Sequence, residues 1–256
     1  MSNNNKYLNH LQQSLINNAS KLSVAQISAA AKYMGTQHKM IGVGTQKQKD
    51  LAKIKYGLDI KEEDLFKLMD LAFTTSNVYE VKSAALLLVE FNLKTLDKKQ
   101  LYKTMLKWVG HVDNWGHSDT LSKLLTRFLE MEEFRGPFLN TLENWNKDKN
   151  PWLRRQSMVA LLYYARTKNE HLPFKTIISL VSSQLLAKEY YVQKGLGWTL
   201  RESYNVYPVL TYKFVSDNFH RVSPVAFTAA IEKMSEKEKT ILKQKRKAYR
   251  AKLKTA

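Results

Sequence analysis

The 256-residue chain contains no cysteine, and this absence excludes several kinds of chemistry. Without thiols there is no disulfide framework, no thiolate metal site and no cysteine nucleophile. Glycine and proline are scarce, at 9 and 5 residues. No stretch shows the sustained alternation of apolar and polar residues that is typical of half-buried strands. The sequence therefore indicates a chain built mainly of helices.

Long apolar runs are also missing. No uninterrupted apolar stretch approaches the ~20 residues that a membrane-spanning helix needs, and residues 1–6 lack the apolar run of a signal peptide. Hydrophobic residues nevertheless make up 44% of the chain and aromatic residues 11%, which excludes a mostly disordered protein. We therefore expect a folded, soluble, cytoplasmic protein with no membrane partner.

Acidic residues are few relative to basic ones, and the basic surplus is uneven. The 41 lysines and arginines outnumber the 23 aspartates and glutamates, for a formal net charge of +18. Segments 1–60 and 151–235 carry +6 each and segment 236–256 carries +7, whereas segment 61–150 carries −1. A curved body that grips a polyanion at both ends fits this pattern, and nucleic acid is the usual polyanion. A solvated basic tail without a partner is an alternative for 236–256.

Apolar residues recur at helical spacing along most of the chain, and the predicted helices come in pairs. Two opening helices over 8–16 and 24–34, and a third over 46–56 that Thr45 caps, precede the first pair. Pair starts recur at intervals of roughly 35 residues, which indicates an α-solenoid of HEAT-like or armadillo-like repeats, with a globular helical bundle as the alternative. The predicted pairs are 59–73 with 79–91, 96–109 with 115–131, 134–145 with 151–167, 173–187 with 189–204, and 206–218 with 224–234.

The fold class predicted from this pattern is an all-α, right-handed α-solenoid of HEAT-like helical pairs with a concave basic face. Residues 1–235 are predicted to form a single domain, and 236–256 a basic C-terminal tail or final helix, with a partly helical arm as the favoured form. The second helix of each pair normally lines the concave face. Tryptophan and arginine together on that face indicate a binding surface, because a neutral core has no use for arginine. The residues concerned are Trp115, Asp119, Arg127, Trp152, Arg154, Arg155, Lys194, Trp198 and Arg201.

Trp115 and Asp119 are four residues apart, so on a helix they lie one turn apart on the same face. A carboxylate beside an indole ring suits a site in which positive charge develops during a reaction. The structural alternative is that Trp115 belongs to the core and that Asp119 pairs with Lys123, which also lies four residues away.

Two longer motifs carry a resemblance to a known family. The runs Asn150-Pro-Trp-Leu-Arg-Arg155 and Glu189-Tyr-Tyr-Val-Gln-Lys-Gly-Leu-Gly-Trp-Thr-Leu-Arg-Glu202 resemble the DNA alkylation repair glycosylases of the AlkD type. The motifs of that family read W-x-x-R on one helix and KA-x-GW-x-LRE on another, and the Gly-Trp-x-Leu-Arg-Glu part is the most specific. Segments in the same order and at similar spacing are 31–34, Gly42 with Val43, 79–86, and Trp115 with Asp119, so that the resemblance covers about residues 25–235.

The resemblance implies a glycosylase that holds double-stranded DNA on a basic concave face and hydrolyses the N-glycosidic bond of cationic N3- or N7-alkylated purines without flipping the base. By matching motif positions, it implies Asp119 as the catalytic carboxylate, with the rings of Trp115 and Trp198 beside it. It also implies that Arg155 binds a phosphate and that Trp152 serves packing. A monomeric, nucleoid-associated protein with no cofactor and no metal ion is expected.

The same helices supply further expected DNA contacts. We expect Arg154, Lys194 and Arg201 to face the DNA, although Arg201 beside Glu202 also suggests a structural ion-pair network. His117 has no second ligand three or four residues after it, so a metal site is not favoured. We interpret it as a polar neighbour that orients Asp119 or contacts a phosphate.

Some positions depart from the family pattern. Asn114 and Gly116 flank Trp115 where better-known members carry bulkier or acidic residues, and Gly44 has no side chain to reach DNA. A non-catalytic HEAT-like protein that recognises bent or branched DNA is therefore the alternative function. A HEAT scaffold for a protein partner is a third hypothesis, but it does not explain the basic surplus.

Overall fold

The structure, a computed structural model, describes residues 3–167 and 171–255, and these residues are predominantly helical. Among them the only extended pairing is an isolated parallel bridge between Lys39 and Val78. The all-α prediction is therefore confirmed. In chain order the helices are α1 (Asn3–Asn17), α2 (Val24–Met34), α3 (Thr45–Lys53), α4 (Glu62–Thr75), α5 (Tyr79–Asn92), α6 (Lys98–Trp108), α7 (Trp115–Leu129), α8 (Glu132–Asn146), α9 (Pro151–Thr167), α10 (Phe174–Ser183), α11 (Tyr190–Val206), α12 (Pro208–Asn218), α13 (Pro224–Ala230) and α14 (Glu236–Thr255), with short 3₁₀ turns at Lys55–Gly57 and Val109–His111.

Most helix boundaries agree with the predicted pairs to within a few residues, and those of α2 and α9 agree at both ends. The prediction that Thr45 caps α3 is wrong, because Thr45 is the first helical residue and Gly44 precedes it without a side-chain cap. Pro151 and Pro224 begin α9 and α13, where proline is tolerated because the first N–H groups of a helix have no partner within the helix.

The last segment differs from the favoured expectation. α14 is one continuous helix of 20 residues, so the preference for an arm that is only partly helical is wrong. The hydroxyl of Ser235 accepts the backbone N–H of Glu238, whose carboxylate accepts the N–H of Ser235, and this reciprocal pair starts the helix. Leu242 is fully buried and anchors the helix to the rest of the protein.

The chain divides into two compact units, Met1–Leu124 and Leu125–Ala256, and the boundary falls inside α7. In the first unit α4 packs against α5, and their facing apolar side chains are buried. Trp108 stacks on Phe73 with ring centroids 4.7 Å apart, and its indole nitrogen donates to Asp70 at 2.8 Å. The buried ring thus keeps its polar atom paired, as burial of tryptophan requires.

The second unit is built around α11, which packs against α9 on one side and α13 on another. The approach of α13 depends on Gly197. A Cβ atom at this position would lie 2.5 Å from the carbonyl oxygen of Ala226 and 2.8 Å from its Cα, which no side chain could tolerate. Glycine at this position therefore lets two helix backbones lie in direct contact.

In each unit, a similar hydrogen bond from a side chain to a backbone carbonyl links the two helices of one pair. In the first unit, Nζ of Lys82 on α5 donates to the carbonyl of Phe73 near the end of α4, at 2.5 Å. In the second unit, Nε2 of Gln193 on α11 donates to the carbonyl of Gln184 just after α10, at 2.9 Å. Both side chains are buried, belong to the fourth residue of their helix and reach a carbonyl nine residues earlier. Each one donates to a carbonyl at the end of the preceding helix, where the last carbonyls have no partner within the helix. The carbonyl of Gln184 also accepts the backbone N–H of Ala187.

Across the described parts of the chain, none of the helices is both long enough and apolar enough to cross a membrane.

Candidate functional site

The start of α7 carries Trp115 and Asp119, and Asn114 defines that start. The Asn114 side-chain oxygen accepts the backbone N–H of His117 at 2.8 Å, which is the hydrogen bond of a helix N-cap. The helix therefore begins at Trp115, as predicted, and Asp119 follows one turn later. Residues four apart on a helix share a face, so the carboxylate and the indole ring lie on the same side of α7.

Contacts with α2 hold the Trp115 ring. Its Nε1 donates to the backbone oxygen of Tyr33 at 2.9 Å, and the Tyr33 ring stands edge-on to it, with centroids 5.4 Å apart. The side chains of Trp115 and Asp119 are both partly exposed, so this tryptophan is not a fully buried core residue. Lys123 forms a salt bridge with Glu90 at 2.5 Å.

Gly116 lies in a close contact between helices. A Cβ atom at this position would lie 2.2 Å from Cε of Met34 and 2.8 Å from the hydroxyl of Tyr79. Only glycine therefore fits between α7, α2 and α5 without displacing a neighbour. With Asn114 as the cap, the two unusual residues beside Trp115 both have structural roles.

His117 is not placed to bind a phosphate. Its side chain is 1% exposed, its Nδ1 lies 2.8 Å from Nδ2 of Asn114, and its Nε2 lies 2.9 Å from the hydroxyl of Ser83. Burial lowers the pKa of His117 to about 3, so the ring is neutral near pH 7. Because the Asn114 amide donates to Nδ1, the proton of the neutral ring lies on Nε2. The expected phosphate contact disagrees with this geometry, and His117 instead supports the cap of α7.

Asp113 is a residue whose role sequence reasoning missed. Its carboxylate accepts hydrogen bonds from the Thr36 hydroxyl and the Gln37 backbone, both at 2.8 Å, and from the Asn114 amide at 2.7 Å. Burial by itself raises the pKa of Asp113, but these hydrogen bonds and nearby His38 outweigh burial and lower it. The ionised carboxylate thus ties the loop after α2 to the start of α7. Its one sequence signal is its position directly before the cap residue.

In the second unit, Trp198 and Arg201 lie on α11. The Arg201 guanidinium is 5.8 Å from the centre of the partly exposed Trp198 ring. It also forms salt bridges with the buried Glu202 and with Glu232, each at 3.0 Å. The Arg201–Glu202 network predicted from the sequence is confirmed. Much of the charge of Arg201 is therefore already balanced by two carboxylates.

The two arginines of α9 also have partners within the second unit. Arg154 forms a 2.5 Å salt bridge with Glu189, and the hydrogen bond from Arg154 lowers the pKa of Glu189. Arg155 is 3% exposed and donates to the backbone oxygen of Tyr191 at 2.9 Å. Trp152 stacks on the Tyr191 ring with centroids 5.0 Å apart, which confirms its packing role.

Lys194 differs from the other predicted DNA contacts, because its side chain is exposed and forms no hydrogen bond or salt bridge with any residue that the structure describes.

The predicted site residues fall into two groups. Trp115, His117 and Asp119 belong to the first unit. The residues Arg154, Arg155, Lys194, Trp198 and Arg201 belong to the second unit. That the two groups share one concave basic surface stays a prediction.

Comparisons with known proteins agree with the fold. A family model described as DNA alkylation repair enzyme matches residues 11–234. Two solved structures are similar over most of their length. A predicted DNA alkylation repair enzyme from Enterococcus faecalis has a TM-score of 0.67 and 16% identity, with 86% of this chain and 99% of that chain covered. AlkD2 from Streptococcus mutans has a TM-score of 0.54 and 23% identity, with 84% and 100% covered.

These structural similarities concern the fold, and they support the helical-repeat architecture predicted from the spacing of the helical pairs. No curated protein sequence matches the chain. The family match ends at residue 234, so α14 lies beyond it.

Proposed function

The chain belongs to the DNA alkylation repair enzyme family, and from that premise we propose that it is a monofunctional DNA glycosylase. Its substrates in this proposal are cationic N3- and N7-alkylated purines in double-stranded DNA, released without base flipping. The observation that carries the proposal is the position of Asp119 one helical turn from Trp115, whose indole N–H is anchored on Tyr33.

The chemistry of the substrate explains how one carboxylate suffices. An alkylated purine already carries a positive charge, and the electron pair of the breaking C1′–N bond neutralises it. The leaving base therefore needs no protonation by an acid, which removes one of the two carboxyl groups that an ordinary glycoside hydrolase uses. The catalytic requirement is reduced to stabilising the cationic sugar and directing a water molecule.

Asp119 supplies both remaining functions in this proposal. As the C1′–N bond breaks, positive charge grows on the sugar ring, and a carboxylate on the exposed side of α7 stabilises that charge. A water molecule then forms the new C1′–O bond, and its proton passes to the carboxylate or to solvent. The products are a neutral base and an abasic sugar, so the bonds and charges balance.

The tryptophans add to the stabilisation of positive charge. The face of an indole ring attracts a cation by about 0.5–2 kcal/mol, depending on how far the pair is removed from water. Trp115 has a fixed orientation because of its hydrogen bond with α2. The Trp198 ring already lies near one cation, the guanidinium of Arg201, which supports its proposed role beside a cationic base.

The test is excision of 7-methylguanine or 3-methyladenine from an alkylated duplex. We expect the wild-type protein to release the base, and Asp119→Asn to reduce the single-turnover rate at least about 100-fold, because the charge that stabilises the sugar is lost. DNA affinity should stay nearly unchanged, since the carboxylate does not attract phosphates. Released base is measured by chromatography and affinity by fluorescence anisotropy.

Asp50→Asn is the charge-matched control, because Asp50 is exposed on α3 and lies outside the proposed site. It should retain wild-type excision. Binding of methylated DNA by the wild-type protein without any base release would contradict the glycosylase proposal and favour the non-catalytic DNA-binding alternative.

A further inference from the structure

α13 and α14 line an open cavity of about 760 Å³ whose lining includes five basic and two acidic residues. Four basic side chains of α14, at Lys243, Arg246, Lys247 and Arg250, line one side of it. Their spacing of three or four residues places them on one face of the helix. We call this cavity and its lining the α14 groove.

Most of the positive charge in the α14 groove is not balanced by the protein. Glu236 pairs with Lys239 at 2.8 Å, and Glu232 pairs with Arg201 at 3.0 Å, so both lining carboxylates already have a basic partner. Within the described residues, Lys243, Lys247 and Arg250 form no salt bridge. Like charges this close repel one another, and an anion in the groove relieves the repulsion.

Arg246 is a second, independent sign of an anion. Its side chain is 9% exposed, its Nη2 donates to the carbonyl of Val222 at 2.8 Å, and its guanidinium lies 4.4 Å from the centre of the Phe227 ring. Its Nη1 is buried and has no hydrogen-bond partner among the described residues. A buried donor without an acceptor costs about 1–3 kcal/mol, and more for a charged group. Because Arg246 lines the groove, a phosphate oxygen that comes within hydrogen-bond distance of Nη1 would satisfy it.

The shape of the charge favours a polymer over a small anion. From Lys239 to Arg250 the basic face extends along α14 by about 16 Å, at 1.5 Å per residue. Duplex DNA carries a negative charge for about every 1.7 Å of its axis, so a row of this length faces several phosphates at once. Within the second unit the α14 groove also lies near Trp198, because Glu232, which lines it, pairs with Arg201, whose guanidinium is 5.8 Å from the centre of the Trp198 ring.

We propose that the α14 groove binds the phosphate backbone of duplex DNA and so extends the DNA-binding surface beyond residues 11–234, the part of the chain that matches the family. This inference rests on the proposed function, since it takes DNA as the substrate. The groove supplies affinity and not chemistry, because no carboxylate or indole of the proposed reaction lies in it.

The test compares two variants that remove the same charge from α14. Lys243→Gln with Lys247→Gln alters the groove, whereas Lys237→Gln with Lys245→Gln alters lysines of the same helix that do not line it. Binding to an undamaged duplex of about 20 base pairs is measured by anisotropy at several salt concentrations. We expect the groove variant to lower the slope of log K against log salt by about 2, at roughly 0.9 per phosphate contact, and the control to leave it nearly unchanged.

Lysine acetylation gives a second measurement that does not depend on the variants. Bound duplex should protect Lys243 and Lys247 from acetylation and leave Lys237 reactive. The proposal would be overturned if the slope of log K against log salt fell equally in both variants, or if it did not fall in the groove variant. Protection by inorganic phosphate as strong as that by DNA, at matched phosphate concentration, would also overturn it.

The outcomes separate this proposal from the glycosylase proposal. If the wild-type protein releases base and the groove variant keeps the wild-type salt slope, the groove assignment fails and the glycosylase proposal stands. If the wild-type protein binds DNA through the groove but releases no base, the glycosylase proposal fails and the groove assignment stands.

Discussion

His117 shows how burial changes what a histidine contributes to this protein. From the sequence, a histidine two residues before Asp119 resembles a phosphate contact. Its hydrogen-bond partner Ser83 lies 34 residues earlier in the chain, and its ring stacks on Tyr79 at 4.3 Å. No local pattern predicts such partners. The neutral, enclosed ring is therefore visible only in the tertiary structure.

The pH dependence of stability follows from the state of His117. Burial lowers its pKa to about 3 in the folded protein, against an ordinary value of 6.5 for histidine. Between these values the unfolded chain binds a proton that the folded protein does not, so stability falls as pH falls, by about 1.4 kcal/mol per pH unit for this group. We expect His117→Gln to take up one proton fewer on unfolding between pH 6.5 and 4, so that its free energy of unfolding changes less steeply with pH. Urea unfolding at a series of pH values measures it.

An exposed histidine provides the control for this experiment. His111→Gln is measured under the same conditions for comparison, because the His111 side chain is exposed where that of His117 is buried. A His117→Gln variant that loses stability equally at every pH would show that the ring contributes only packing and hydrogen bonds.

At the scale of helices, Gln193 and Lys82 perform the same task in different units. Each closes a helical pair by donating to a carbonyl nine residues earlier. We expect Gln193→Leu to destabilise the protein by about 1–3 kcal/mol, because the carbonyl oxygens of Gln184 and Leu185 lose a buried donor. Thermal and urea unfolding followed by circular dichroism measure the loss.

Gln193→Lys is the matched substitution, since Lys82 fills the equivalent position in the first unit. It restores a donor and should therefore be less damaging than Gln193→Leu. If the leucine variant is as stable as the wild-type protein, the shared contact is a coincidence of spacing and not a stabilising feature of the repeat.

Helix positions were largely predictable from the sequence because their signals are local. Apolar spacing predicted the boundaries of α5, α9 and α11 to within a residue or two, and Pro151 marked the start of α9. The errors have physical causes as well. Ser235 and Glu238 form a capping pair three residues apart and start α14, whereas the expectation for this segment was based on its high content of lysine and arginine.

For the molecule as a whole, the formal charge of +18 predicts strongly salt-dependent DNA binding. Few of the side chains that are predicted to contact DNA in the second unit can bind a phosphate without rearrangement, because Arg154 and Arg201 are in salt bridges and Arg155 is buried. Lys194 is exposed and is the simplest to test. We expect Lys194→Gln to lower the slope of log K against log salt by about 0.9, the value for one phosphate contact.

Lys213→Gln removes the same charge elsewhere in the second unit. Lys213 pairs with Asp217 on α12 at 2.8 Å and lies outside the predicted contacts, so its substitution should leave the slope unchanged. Equal slopes for the Lys194 variant and the wild-type protein would remove Lys194 from the predicted DNA contacts.

The sequence by itself determined the helical class, the paired helices and the family, because apolar periodicity and contiguous motifs such as the one ending in Glu202 are properties of neighbouring residues. The tertiary structure alone decided which polar side chains are committed to the fold. Arg154 meets Glu189 across 35 positions, Arg201 meets Glu232 across 31, and His117 meets Ser83 across 34. Each partner lies about one helical pair away, and packing of one pair on the next, which the local sequence does not record, brings these charges and hydrogen bonds together.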